Sequence, residues 1–432
     1  MPHLPRIFSM KKLPVPAALL LLLGVTGYVF LVLLTIYHKQ PPLYDEPLFI
    51  PNVYLFEKYG LSKEFLLNIN QQAPGPLYQF IHYPLRCITH LQTPGIRLVN
   101  TALLGLMILL LTAMITRIHT ANRKQAFILA LTVMAVPMVW TVSGMALTEI
   151  PPMFFATLSI LLLWFALQRQ ESALPVSLFM ALLAGFALGM AILGRSPFLI
   201  MVPAAGALLI NNFRSTGRWL LLIIYCGVAL AMCLPVFYIW KGLTPPQQAF
   251  TAAGGLDMEH GMLAFAYGAL ITFLLAPGWF YFSKRIVIYM LGGYVVLLLL
   301  NITLIRWEYG PLSVAMEKIL PAALMRLYPF IMAPALAVVA VVAIYFVICS
   351  AWRAWERRTE PFFLFLLAAA MLMLATSFKV THLFSSRYVA QAAPFFVLML
   401  LGYDKLTYSK VLRTVAGMVI GLLSLETYFL FH

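Results

Sequence analysis

Long apolar runs recur from one end of this 432-residue chain to the other, parted by short polar stretches. Runs of about 18 or more apolar residues read as transmembrane helices. The pattern predicts about thirteen, near 14–37, 97–117, 125–143, 151–168, 175–193, 197–212, 218–239, 260–282, 286–305, 329–350, 361–378, 389–403 and 411–430. The first run is longer than a signal-peptide core, and no small-x-small cleavage site precedes Tyr44. It is therefore expected to be a retained helix and not a leader. One polar gap differs from the rest. His38–Ile96 is too long for a turn and too short for a domain. Within it, Leu48, Val53, Phe56 and Tyr59 recur among polar neighbours and predict a helix lying on the membrane surface over Pro47–Tyr59. Gln79–Leu91 predicts a second short helix. Between them, Gln71-Gln72-Ala73-Pro74-Gly75-Pro76-Leu77-Tyr78 reads as a rigid turn. Pro94 and Gly95 break the chain before the second span opens at Arg97.

Composition supports one polytopic, all-α membrane domain over 1–432. The chain is 62% hydrophobic and 10% charged, with no fixed-period repeat. The other outer loops fall at Trp240–Glu259, Arg306–Tyr328 and Lys379–Tyr388. The net charge of +15 would suggest nucleic acid in a soluble protein. With the N-terminus inside, the short inner loops take most of the basic residues (among them Arg6, Lys11, Lys12, Arg123, Lys124 and Arg353) and few acids. That is the positive-inside pattern; the partners it implies are membrane lipids, and no nucleic acid is called for. Cys87, Cys226, Cys233 and Cys349 have neither paired nor metal-ligand spacing. No metal site or cofactor is expected: Glu259-His260 stands alone, and no glycine-rich nucleotide loop follows a strand.

The candidate chemistry begins at Tyr44-Asp45-Glu46, just past the first span. Carboxylates beside hydrocarbon are costly and mark functional positions. Two solvated acids at a helix end, one paired with Lys39, are the plainer alternative. The chemical one makes one carboxylate a general base for a hydroxyl nucleophile, with the pKa values of the two pushed apart. Glu149 precedes Ile150-Pro151-Pro152, where a helix should start, so it is either a helix cap or a second site acid. Arg195 lies between two apolar segments and should reach a headgroup or an anion. Lys379, His382 and Arg387 place three potential cations within nine residues, with Tyr388 next in line. They are interfacial anchors or a lipid-phosphate site.

These features together resemble the GT-C membrane glycosyltransferases, which take sugars from polyprenyl-phosphate donors on the outer or lumenal face. The resemblance rests on Asp45-Glu46, the long first outer loop, Ala146-Leu147-Thr148-Glu149, Leu193-Gly194-Arg195 and Ser386-Arg387-Tyr388. The first loop is most similar to the dolichyl-phosphate-glucose glucosyltransferase family. Tyr44-Asp45-Glu46-Pro47-Leu48-Phe49-Ile50-Pro51 resembles its Asp-Glu-x-Phe-His-x-Pro segment, with Ile50 at the histidine. Ala73-Pro74-Gly75-Pro76-Leu77-Tyr78 resembles its Pro-Pro-Gly-Leu-Tyr turn, with Pro76 added. Arg97-Leu98-Val99-Asn100 resembles its Arg-x-x-Asn opening of the second span. Protein O-mannosyltransferases and aminoarabinose transferases share the acidic pair, so the sugar and the acceptor stay open.

The resemblance implies a transfer with inversion. Asp45 would deprotonate an acceptor hydroxyl, on a lipid-linked glycan or another acceptor, and Glu46 would position Asp45 or the acceptor. The donor phosphate would lie near Arg195, Lys379 and Arg387; Tyr44 and Tyr78 could line the sugar site. His382, Tyr388 and Glu149 complete the expected substrate contacts. A lipid or solute transporter or flippase, or a glycan ligase or polymerase of another fold, is the competing expectation. Transporters tend to carry repeats and midplane helix breaks, whereas here the acids cluster at the outer boundary. The compact chain suggests a bacterial inner membrane rather than the endoplasmic reticulum, with the site on the periplasmic or lumenal face.

Overall fold

The computed structural model describes residues 13–119, 122–251, 254–307, 321–325, 327–381 and 384–430. Among these, every regular element is helical. The first span is α1 (Val15–Tyr37). The outer loop after it carries α2 (Glu46–Tyr59), α3 (Lys63–Asn68) and α4 (Leu77–Thr89), and α5 (Gly95–Ile118) returns. α6 (Arg123–Leu131) and α7 (Pro137–Gly144) form a pair bent by 82° at the break between them. There follow α8 (Ile150–Arg169), α9 (Leu174–Gly194), a shorter α10 (Ser196–Leu209), α11 (Thr216–Trp240), α12 (Met258–Leu275), α13 (Lys284–Ile305), α14 (Tyr328–Glu356) and α15 (Pro361–Lys379). Two short helices, α16 (Arg387–Ala390) and α17 (Ala393–Met399), lead to the last span, α18 (Tyr408–Leu430).

Ten of these helices are long and apolar enough to cross a membrane, eleven with the bent pair counted as one. The expected spans at 197–212 and 389–403 fall short of that length. Pro197 and Pro203 remove backbone donors, so α10 alternates between 3-10 and α turns. Pro394 opens α17, and Gly402, at φ 88°, ends the segment behind it. The first stretch still carries the chain from one end of α8 to the other. Arg195 reaches Glu149 at the start of α8, while Ser215 accepts a hydrogen bond from Gln170 at its far end. A helix of that length covers about 30 Å.

The surface helices form where the pattern places them. α2 buries Glu46, Phe49, Asn52 and Val53 on one stripe, and α4 buries Leu77, Tyr78, Gln79, His82 and Thr89. The turn between them is a polar knot. Gln72 donates to the carbonyls of Pro74 (3.1 Å) and Gly75 (2.9 Å), while Gln79 and Asn52 both donate to its Oε1. All three side chains are buried, so each amide needs these partners. The knot docks on α9: the Gly75 N–H donates to the Gly194 carbonyl at 3.3 Å. A Cβ on Gly75 would stand 2.1 Å from the Leu193 carbonyl oxygen, so only glycine fits. This contact brings the outer loop to the end of α9 and therefore to Arg195.

Elsewhere the helices pack as a membrane bundle. α8, α9 and α11 make the tightest group; at Gly185 the α9 backbone approaches the Tyr225 carbonyl so closely that a Cβ would meet it at 2.5 Å. The Lys284–Leu300 part of α13 has no buried residue and presents its apolar side chains outward, as a lipid-facing helix does.

Candidate active site

The two adjacent acids have opposite surroundings. Glu46, the first residue of α2, is wholly buried. Its carboxylate accepts from Arg97 Nε (2.8 Å) and Nη2 (2.6 Å), from the Ala146 N–H (2.7 Å) and from the Leu43 N–H (2.8 Å). Those donors occupy the lone pairs a carboxylate offers, and none is left for a substrate. Arg97, also wholly buried, donates as well to the His38 and Pro41 carbonyls. Asn100, one turn along α5, donates to the carbonyls of Val142, Met145 and Leu147. One face of α5 therefore grips both the acid-bearing segment and the α7–α8 loop that leads to Glu149.

Asp45 points the other way. It is 38% exposed and accepts from Arg387 Nη2 at 2.8 Å, not from Lys39, which is exposed. Arg387 is held from behind by Ser385, whose Oγ accepts from its Nε at 3.1 Å. The charge of Arg387 is acted on by Glu149 as well as by Asp45. Glu149 is the N-cap residue of α8, but its side chain makes no cap bond. It is fully buried and accepts from Arg195 Nη2. Among the described residues, its Oε2 and the Nε of Arg195 are buried without a hydrogen-bond partner. A buried half-satisfied ion pair is costly, and a polar or anionic ligand would complete it.

Tyr388 joins this cluster, with its ring centre 5.9 Å from the Arg195 guanidinium carbon. Tyr44 has a left-handed backbone (φ 53°) and sets its ring edge-on against Tyr428, 4.7 Å between centres. Tyr78 is placed apart. It packs against Phe49 (5.4 Å) and His82 (4.0 Å), with a buried hydroxyl that has no partner among the described residues. Burial, helped by the nearby Glu46 charge, holds that hydroxyl well above the ordinary phenol range. Lys379 is exposed at the end of α15. His382 lies outside the described residues.

The structure thus brings Asp45, Glu149, Arg195 and the adjacent Arg387 and Tyr388 together from four separate stretches of chain. It adds residues that sequence reasoning passed over. Arg97 was visible in the Arg-x-x-Asn segment but its grip on Glu46 was not. Tyr428, Phe429, Glu426 and His38 carry no motif at all, and only their meeting in space marks them.

Residues 73–240 match the family model of dolichyl-phosphate-mannose-protein mannosyltransferases. The match runs from the Pro74-Gly75-Pro76 turn to the end of α11 and includes Arg97, Glu149 and Arg195. Comparison with curated proteins returned no match. Solved structures that this chain is similar to include the following three. The Saccharomyces cerevisiae protein O-mannosyltransferase Pmt1–Pmt2 complex bound to the sugar donor is 19% identical over 58% of this chain and 37% of that one, at TM-score 0.38. ArnT from Cupriavidus metallidurans bound to undecaprenyl phosphate is 12% identical over 92% and 77%, at 0.45. The Archaeoglobus fulgidus oligosaccharyltransferase is 13% identical over 94% and 55%, at 0.47. This chain therefore spans little more than a third of the yeast mannosyltransferase, and overlap at these scores does not fix an activity.

Proposed function

We propose that this integral membrane protein is a GT-C-type glycosyltransferase that moves a sugar from a polyprenyl-phosphate donor to a hydroxyl acceptor at its outer face. The observation that carries the proposal is the Asp45–Arg387 pair beside the Glu149–Arg195 pair. One partly exposed carboxylate stands next to two guanidinium groups at the outer end of the bundle. That is the charge arrangement an acceptor deprotonation and a phosphate departure need. The mannosyltransferase family match over residues 73–240 supports the same reaction class.

The arginines receive the donor phosphate, and Arg195 does so with an Nε that has no partner among the described residues. The acceptor hydroxyl oxygen attacks the anomeric carbon as its proton passes to Asp45. The bond from that carbon to the phosphate oxygen breaks, and its electron pair leaves with the polyprenyl phosphate. Arg195 and Arg387 stabilise the charge that develops there. Attack opposite the leaving group inverts the anomeric centre. Glu46 takes no part in proton transfer; locked to Arg97, it fixes the start of α2 and hence the direction of Asp45.

Two features point to different hexoses. The first loop resembles glucosyltransferases, while residues 73–240 match a mannosyltransferase model. The deciding experiment incubates the purified protein in detergent with polyprenyl-phosphate glucose, mannose and aminoarabinose in turn, and measures release of polyprenyl phosphate. Turnover of one donor supports the proposal and names the sugar. Folded protein that turns over none of them contradicts it and favours a transporter or a ligase.

A further inference from the structure

Asp45 is not carried on a helix side. It ends an irregular stretch, residues 38–45, that joins α1 to α2. Where such a stretch points is set by what grips it. Arg97 of α5 holds it from one side through the carbonyls of His38 and Pro41, and Thr93 donates to the Gln40 carbonyl at 2.7 Å.

The other grip comes from the last turn of α18. Glu426 Oε1 is 3.0 Å from His38 Nε2. The Phe429 ring stacks on the His38 imidazole, 4.1 Å between centres and 11° from parallel. The same ring lies 5.0 Å from the Arg97 guanidinium carbon. Tyr428 meets Tyr44, the residue before Asp45. The final turn of α18 therefore touches both ends of the stretch that delivers Asp45, and touches the arginine that locks Glu46. His38 and Phe429 are both nearly buried, so the stack is shielded from water.

α18 is itself fixed. Its Gly417 packs so closely on the Ala135 carbonyl that a Cβ would fall 2.0 Å away, and Thr141 and Ser424 share a hydrogen bond of 3.1 Å. The turn before α7 and α7 itself thus hold α18, and the loop after α7 supplies the Ala146 N–H to Glu46. We infer that Glu426 and Phe429 are positioning residues: they hold His38 and Arg97 so that Asp45 faces the reacting centre. The contacts are an aromatic stack, a cation–π contact and a hydrogen bond to a carboxylate. Their use is to fix direction, and an error of about 1 Å at a reacting group costs on the order of a hundredfold in rate.

This inference rests on the glycosyltransferase proposal. It is tested on the full chain with the donor that the wild type turns over, by comparing Phe429→Leu, Phe429→Tyr and Glu426→Gln. The expected result for Phe429→Leu is a kcat about tenfold lower or more, with donor KM within about twofold. Phe429→Tyr, which keeps the aromatic face, restores most of the rate. Glu426→Gln, which is nearly isosteric, lowers kcat in the same sense without moving the unfolding midpoint, and it carries the test if Phe429→Leu does not fold. Wild-type kcat in both Phe429→Leu and Glu426→Gln, equal losses in the leucine and tyrosine variants, or a loss confined to KM would overturn the positioning role alone. A wild type without turnover would instead overturn the reading beneath it.

Discussion

Asp45 and Arg387 are 342 residues apart in the chain and 2.8 Å apart in the fold. The contact joins the first outer loop to the short helices before the last span. Beside it, Arg195 bonds Glu149 across α8 and α9. Each arginine thus has a carboxylate partner. Under the proposed mechanism a donor phosphate would meet both arginines.

Arg195 and Arg387 should act on donor affinity. Arg195→Lys keeps the charge but loses the planar fork that suits phosphate. The expected effect is a donor KM raised about tenfold, near 1.4 kcal/mol, with a smaller change in acceptor KM. Initial-rate kinetics with donor and acceptor varied separately would show it. An acceptor-only effect would move Arg195 away from the phosphate.

Glu46 and Arg97 should matter for folding first. Neither side chain is exposed, and each leaves the other charged and unpaired when removed. Breaking such a pair costs about 3–5 kcal/mol. Arg97→Met should therefore lower the unfolding midpoint in detergent sharply, whereas Asp45→Asn should not, because Asp45 is partly solvated. Equal midpoints for Arg97→Met and wild type would show the buried pair to be dispensable.

His82 gives the fold an acid sensitivity. Burial pushes its imidazole down to about 3 from 6.5. Between those values the unfolded chain binds a proton that the folded one refuses. Its contribution is thus fully present above about pH 6.5 and is lost as pH falls toward 3, by about 1.4 kcal/mol per pH unit. His82→Phe, which keeps a ring against Tyr78, should flatten the fall of the unfolding midpoint between pH 7.5 and 5. Parallel curves for the two proteins would contradict it.

The helices of this fold were legible because hydrocarbon imposes their length and composition. That α2 is a helix was legible from the spacing of Leu48, Val53, Phe56 and Tyr59, but not which face it buries, since of these only Val53 lies on the buried stripe and Tyr59 is exposed; the start of α8 was legible from Pro151-Pro152. Two spans were overstated, since a hydropathy run does not register how Pro197, Pro203 and Pro394 shorten the helix within it. In the site, Asp45, Glu149, Arg195 and Arg387 stood out because charge is rare in this chain. The opposite surroundings of Asp45 and Glu46 did not, because they depend on Arg97 and the Ala146 N–H, a hundred residues beyond Glu46. The contacts of Phe429 with His38 and Arg97 left no trace in the sequence at all, as a phenylalanine in an apolar helix is unremarkable until its neighbours are known.

The most direct test of the central claim compares sugar transfer by wild type and Asp45→Asn, purified side by side, with the donor that the wild type accepts. A general base contributes about 10²–10⁴ in rate. The account predicts a loss in that range for Asp45→Asn at an unchanged unfolding midpoint. Transfer by Asp45→Asn at close to the wild-type rate would remove Asp45 as the base, and with it the mechanism proposed for this site.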